Sequence, residues 1–171
     1  MLAHPKLYET ELKQIAALTI DKKYKYYHAG YFTMPTVDDD EWNKIQRVCL
    51  CGDKVIGYFN GSVSRTHCII SNIAIFSIAQ TYKEFKCFEK DLLSFFLLLM
   101  ESYPTILWTV VYDNPVRKKY EQFCKAVGGH IVGVYKQSCR IGKDLVDEEA
   151  LQIISTPETI IKVKELIARF K

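Results

Sequence analysis

The side chains best suited to covalent chemistry in this sequence are its six cysteines: Cys49, Cys51, Cys68, Cys87, Cys124 and Cys139. Their spacing organises none of them. There is no C-x-x-C, and no two pairs stand at zinc-binding separation. They read as buried or half-buried structural thiols, because free cysteine packs as a small hydrophobe. A Cys–His nucleophile pair stays open, with nothing to single one out. The acidic run Asp38, Asp39, Asp40 and Glu41 has two readings: a divalent-metal site, or a solvated face or helix first turn favoured by the dipole. The second is the ordinary one, and no metal is expected. Lys22, Lys23 and Lys25 interleave with Tyr24, Tyr26 and Tyr27. That pattern suits stacking plus phosphate contact on a nucleic acid, and equally a surface where lysine stems cover apolar area. G-x-S-x-G, H-E-x-x-H, the P-loop and the dinucleotide fingerprint are all absent.

The elements that must position these groups follow from composition and periodicity. A chain of 171 residues, 49% hydrophobic and 25% charged, is long enough for one domain with a real core. The balance of 23 basic and 20 acidic residues, a net charge of +3, does not favour a nucleic-acid partner. The first twenty residues carry Lys6, Glu9, Glu11 and Lys13, unlike a leader peptide. With the unpaired cysteines, this makes a cytoplasmic protein the expectation. The apolar run Leu92 to Met100 is too short to span a membrane and reads as a buried helix segment.

Residues 7–18 follow the helix period. The aromatic stretch Tyr24 to Phe32 has no clean period and stops at Pro35. Strands are expected at 45–51, 55–64 and 67–76, with Gly57 and Gly61 marking bends or bulges. From Thr81 to Glu101 the residues Tyr82, Phe85, Phe88, Leu92, Phe95, Phe96 and Leu99 recur at three- and four-residue steps, placing one long helix with these residues on one side. A β-branched strand follows at 105–112. Pro115 suits the first position of the next helix, and Gly128-Gly129 its C-cap. Strands at 130–138 and 146–154 precede a closing helix, with Ser155 and Glu158 as its capping box. The strand–helix–strand step from 67–76 to 105–112 implies a parallel pair with a right-handed crossover. The expected fold is α+β: a mixed, mostly antiparallel sheet of about six strands, flanked by helices.

This order resembles the GNAT superfamily of N-acetyltransferases, most closely its bacteriophage-encoded members, over residues 40–154. Three passages carry the resemblance: V-I-G-Y-F-N-G-S-V at 55–63, the central strand 67–76 running into a long helix, and D-N-P-V-R-K-K-Y-E-Q-F at 113–123 with G-G-H-I-V-G-V at 128–134. It implies one domain made of an N-terminal helical region (1–42), an acetyl-CoA-binding core (43–154) and a C-terminal helix (155–171). It also implies two parallel strands that splay apart, acetyl-CoA as the donor in the gap, and an amine acceptor. By the same resemblance, Ile75, Phe76 and Ser77 would meet the pantetheine arm, with Ile73 and Ala74 beside them. Gln80, Thr81, Tyr82 and Lys83 would meet the pyrophosphate at a helix N-terminus. Asn114 would contact the arm, and Tyr120 would protonate the departing thiolate, a role that suits a phenol neutral at physiological pH.

The loop departs from the family pattern. With Gln80 in the first position, Lys83 and Phe85 stand where glycines are usual. Either Lys83 and Lys86 supply charge in place of close backbone approach, or CoA binding is lost. Asn114 and Tyr120 are six residues apart, one fewer than the common spacing, which counting from Asp113 restores. No general base is singled out among His67, His130, Glu84 and Glu121, while Ser71 and Asn72 are possible acceptor contacts. The expected function is an N-acetyltransferase acting by direct amine attack. The alternatives are a GNAT-like interaction module without turnover and a nucleic-acid adaptor.

Overall fold

The computed structural model describes residues 1–18, Tyr24, Tyr26, Val37 and 40–170. Lys22, Lys23, Lys25, most of the 24–32 aromatic stretch, Pro35, Asp38 and Asp39 therefore lie outside the described residues.

Among the described residues, seven strands form one sheet. They are β1 (Leu2–Ala3), β2 (Lys44–Cys51), β3 (Lys54–Ser64), β4 (Ile69–Ser77), β5 (Thr105–Val111), β6 (His130–Ile141) and β7 (Asp144–Ile154). Their order is β1-β2-β3-β4-β5-β7-β6. β4 and β5 are parallel; the other neighbours are antiparallel. The two-residue β1 is too short to leave a period in the sequence, which is why about six strands were expected.

The helices are α1 (Glu9–Leu18), α2 (Tyr82–Ser102), α3 (Arg117–Ala126) and α4 (Pro157–Ala168). Leu12 and Ile15 of α1 pack with Val48, Leu50, Val55, Tyr58 and Phe76 on one face of the sheet. On the other face Phe88, Phe95, Phe96 and Leu99 of α2, Cys124 of α3 and Val163 of α4 meet Ile56, Phe59, Ile70, Ile106 and Leu151. Among the described residues, no helix is long and apolar enough to cross a membrane.

Several local differences have clear causes. The first turn of α2 lies where β5 has already turned away from β4, so Tyr82 and Phe85 are exposed rather than on the buried stripe. The side chain of Asn114 accepts from the Val116 N–H at 3.1 Å, and this Asx turn delays the start of α3 to Arg117. The α4 capping box is one residue later than expected: Thr156 and Thr159 exchange bonds, while Ser155 donates to the Tyr103 carbonyl at 2.7 Å. Of the cysteines, Cys68 is exposed, and the other five are buried or half-buried.

The glycine readings hold. Gly57 and Gly61 flank register shifts in β3. A Cβ on Gly57 would stand 2.7 Å from the Phe76 carbonyl. Gly128, at φ +89°, and Gly129 close α3 by bonding the carbonyls of Lys125 and Cys124, a Schellman motif.

Candidate functional site

β4 and β5 are paired at only two positions, Ile69 with Thr105 and Ile70 with Ile106. Beyond them the strands diverge. The edge of β4 that faces β5 has no strand partner past Ile70, and such an edge presents backbone donors and acceptors to whatever enters. The divergence leaves a slot of about 110 Å³ lined by residues 72–76 of β4 and 108–111 of β5, with Asn114, Val116, Tyr120, Glu148 and Tyr26 around it.

A bulge shapes the β4 side. Between Asn60–Ala74 and Ser62–Ser71 the register slips by one residue, and Asn72 takes φ +50°. A bulge of this kind re-aims the local backbone, which is a common way to turn an N–H group into a site.

The β5 side contributes Trp108. Its ring packs edge-on against Phe96 at 5.1 Å, and it is 2% exposed. Its indole N–H finds no acceptor among the described residues. An orphaned buried donor costs about 1–3 kcal/mol, so its place in the wall of the slot favours a ligand that supplies an acceptor.

Tyr120 is placed by α3, and α3 is held to β7 by Arg117. The Arg117 guanidinium lies 3.1 Å from Glu149, 2.9 Å from Glu121 and 4.0 Å from the centre of the Tyr112 ring. Burial, and Glu121 beside it, push the Glu149 carboxyl up. Tyr120 follows Arg117 by three residues, so this clamp sets its height along the slot.

Glu148 is the slot carboxylate that sequence reasoning missed. Consecutive strand residues point to opposite faces. Glu149 meets α3, so Glu148 faces the α1 side, where it accepts from Thr109 and Ser138, each at 3.0 Å. It is 8% exposed. The available signal was three consecutive acids, Asp147, Glu148 and Glu149, running into the mostly apolar half of a strand.

Of the expected site residues, Ile75, Phe76, Asn114 and Tyr120 line the slot, as does Asn72. Ser77 ends β4 just past the slot lining, and Gln80, Thr81, Tyr82 and Lys83 lie beyond it in the loop and first turn of α2. His67 sits in the β3–β4 turn, its Nδ1 3.0 Å from Ser64 Oγ, at the end where β4 and β5 are still joined. His130 opens β6 opposite Gln152, away from the slot lining. Glu121 is held by Arg117, and Glu84 by its own helix terminus and Lys54. Asp40 caps the Trp42 N–H, and Glu41 pairs with Arg47. Among the described residues no three His, Cys, Asp or Glu are grouped to hold a metal ion.

No family model matches the sequence, and no curated protein matches it in sequence. Solved structures match its fold. A spermidine N-acetyltransferase from Vibrio cholerae, in complex with CoA and spermine, superposes with a TM-score of 0.67 at 14% identity, covering 92% of this chain and 96% of that one. An acetyltransferase from Salmonella typhimurium that modifies the N-terminal serine of ribosomal protein L7/L12 gives 0.62 at 10% identity, covering 90% and 93%. A microcin C7 self-immunity acetyltransferase, in complex with acetyl-CoA and AMP, gives 0.62 at 11% identity, covering 90% and 91%. At such identities the likeness is one of fold, and the fold is that of the GNAT acetyltransferases.

Proposed function

We propose that the chain is a GNAT N-acetyltransferase that takes an acetyl group from acetyl-CoA and passes it to an amine by direct attack. The observation that carries this reading is the divergence of β4 from β5 after Ile70, which opens a slot beside Tyr120. The fold neighbours crystallised with CoA or acetyl-CoA support the same donor.

The residues fit the thin part of such a donor. The unpaired edge of β4 at Ile73, Ala74, Ile75 and Phe76 offers main-chain bonds to a pantetheine arm, and Trp108 offers its orphaned indole N–H to an amide carbonyl. Asn114 would fix the arm on the α3 side. The donor supplies an activated acyl carbon in a thioester. Backbone N–H groups at the Asn72 bulge would polarise its carbonyl, the kind of fixed dipole that contributes most to acyl transfer.

The two faces of the slot then divide the proton work. Tyr120, on the α3 side, gives its phenolic proton to the departing thiolate as the C–S bond breaks. Glu148, on the α1 side, attracts the acceptor as an ammonium and takes the proton whose loss frees the nitrogen lone pair for attack; the second N–H proton, shed once the C–N bond has formed, returns through solvent to the Tyr120 phenolate. Tyr26 borders the same side and would contact the acceptor. Holding both reactants in one slot contributes the remaining advantage through proximity.

The test is release of free CoA thiol from acetyl-CoA across a panel of amines that includes polyamines and peptides with free N-termini. Turnover with any of them supports the reading. Donor binding without turnover on any amine overturns it in favour of a non-catalytic module of the same fold. The glycine-free loop before α2 is the observation that favours that second reading.

A further inference from the structure

The N-terminus of α2 is where a donor diphosphate would be expected to sit, and an internal carboxylate already sits there. Glu84 Oε2 accepts from the backbone N–H of Gln80 at 2.8 Å and of Thr81 at 3.2 Å. Its Oε1 lies 2.7 Å from Lys54 Nζ at the start of β3. Thr81 Oγ1 in turn accepts the Glu84 N–H at 3.2 Å, so the box is closed from both sides.

Resting on the acyl-transfer reading, we propose that Glu84 fills the anion seat of the β4–α2 loop, so that the site selects its donor by the pantetheine arm in the slot and gains little from a diphosphate. The donor class is then acyl-pantetheine thioesters at large, with the nucleotide end of CoA dispensable.

Three observations converge on this. An anion is held at a helix N-terminus by free N–H groups and by the positive end of the dipole. Here two N–H groups at the entry to α2 are already bonded, and Glu84 already complements the dipole. A diphosphate would bring further negative charge against that carboxylate at short range, where salt screens poorly. Second, Glu84 is held firmly. Lys54 first, then the Gln80 and Thr81 N–H groups, bring its carboxyl down to about 2, and it is anionic at any physiological pH. Third, little of the nearby positive charge is free: Lys54 is paired with Glu84 at 2.7 Å, leaving Lys83 as the exposed lysine of the first turn of α2. Residues 78–85 contain no glycine, so the backbone cannot approach a phosphate closely. Lys86, one of the two lysines expected to compensate, is paired with Glu89 at 3.1 Å.

The test is calorimetric binding of two probes to the full chain: acetyl-CoA and S-acetyl-pantetheine, which lacks the diphosphate and nucleotide. The expected result is wild-type affinities within about tenfold of each other. Glu84→Gln keeps the shape of the cap but removes its charge and leaves Lys54 without a carboxylate. It should tighten acetyl-CoA about tenfold and leave S-acetyl-pantetheine unchanged. A wild-type preference for acetyl-CoA above about a hundredfold overturns the Glu84 proposal and leaves the acyl-transfer reading intact. Failure of both probes to bind overturns the two together. The wild-type comparison decides the matter even if the variant is unstable.

Discussion

Ile70 and Ile106 are register partners, and beyond them β4 and β5 share no further pairing. Both side chains are fully buried in the core under α2. The slot therefore opens from a packed junction of the two strands.

Filling that slot should abolish donor binding while sparing the fold. Ile75 lines it, is half-buried, and packs against the core on the α2 side. Ile75→Trp should remove detectable acetyl-CoA binding, at an overpacking cost of about 1–3 kcal/mol. Calorimetry for the donor and urea unfolding for stability check the two halves separately.

Removing the phenol of Tyr120 should slow chemistry more than binding. Tyr120→Phe keeps the ring that packs against the core but loses the proton donor. The expected change is a fall of about a hundredfold or more in kcat, with the donor KM little altered. Steady-state kinetics with saturating amine read this directly. An unchanged kcat would remove Tyr120 from the mechanism.

Glu148→Gln should act on the acceptor side. The amide carbonyl still accepts from one of the Thr109 and Ser138 hydroxyls and its NH2 can donate to the other, but it neither attracts an ammonium nor takes a proton. The expected loss is about a hundredfold in kcat/KM for the amine, with donor affinity unchanged. A weakened donor and an unaffected amine term would contradict the division of the slot into two faces.

Glu84 also predicts a pH dependence of stability. Its carboxyl is lowered from 4.5 to about 2 by Lys54 and the loop N–H groups. A group whose folded value is depressed contributes fully above its unfolded value and loses that contribution as pH falls through the folded one. The stability difference between wild type and Glu84→Gln should therefore be complete at neutral pH and shrink as pH drops from 4.5 towards 2. Lys54 is more than half exposed, so solvent screens part of the effect. Urea unfolding of both proteins across that window measures it.

The sequence made the order of elements legible because the signals are local. β-branched runs, the two- and three-residue breaks, and the Gly128-Gly129 stop each depend on a few neighbours. Gly57 and Gly61 read correctly as bulge positions for the same reason. Glu148 was not legible as a slot residue. Its place depends on β7 inserting between β5 and β6, an arrangement that no stretch of residues near it encodes. The role of Glu84 was hidden differently: Thr81 and Glu84 stand at capping-box spacing, but the link to Lys54 spans thirty residues. The exposure of Tyr82 and Phe85 was missed because periodicity gives the face of a helix, not whether a strand lies beneath it.

Entry of the donor along the β4 edge is tested most directly by amide NMR of the labelled protein. On titration with acetyl-CoA, the N–H resonances of Asn72 to Phe76 should shift first and furthest, together with the Trp108 indole N–H, which has no acceptor among the described residues. Saturable shifts elsewhere, with these signals left in place, would contradict it.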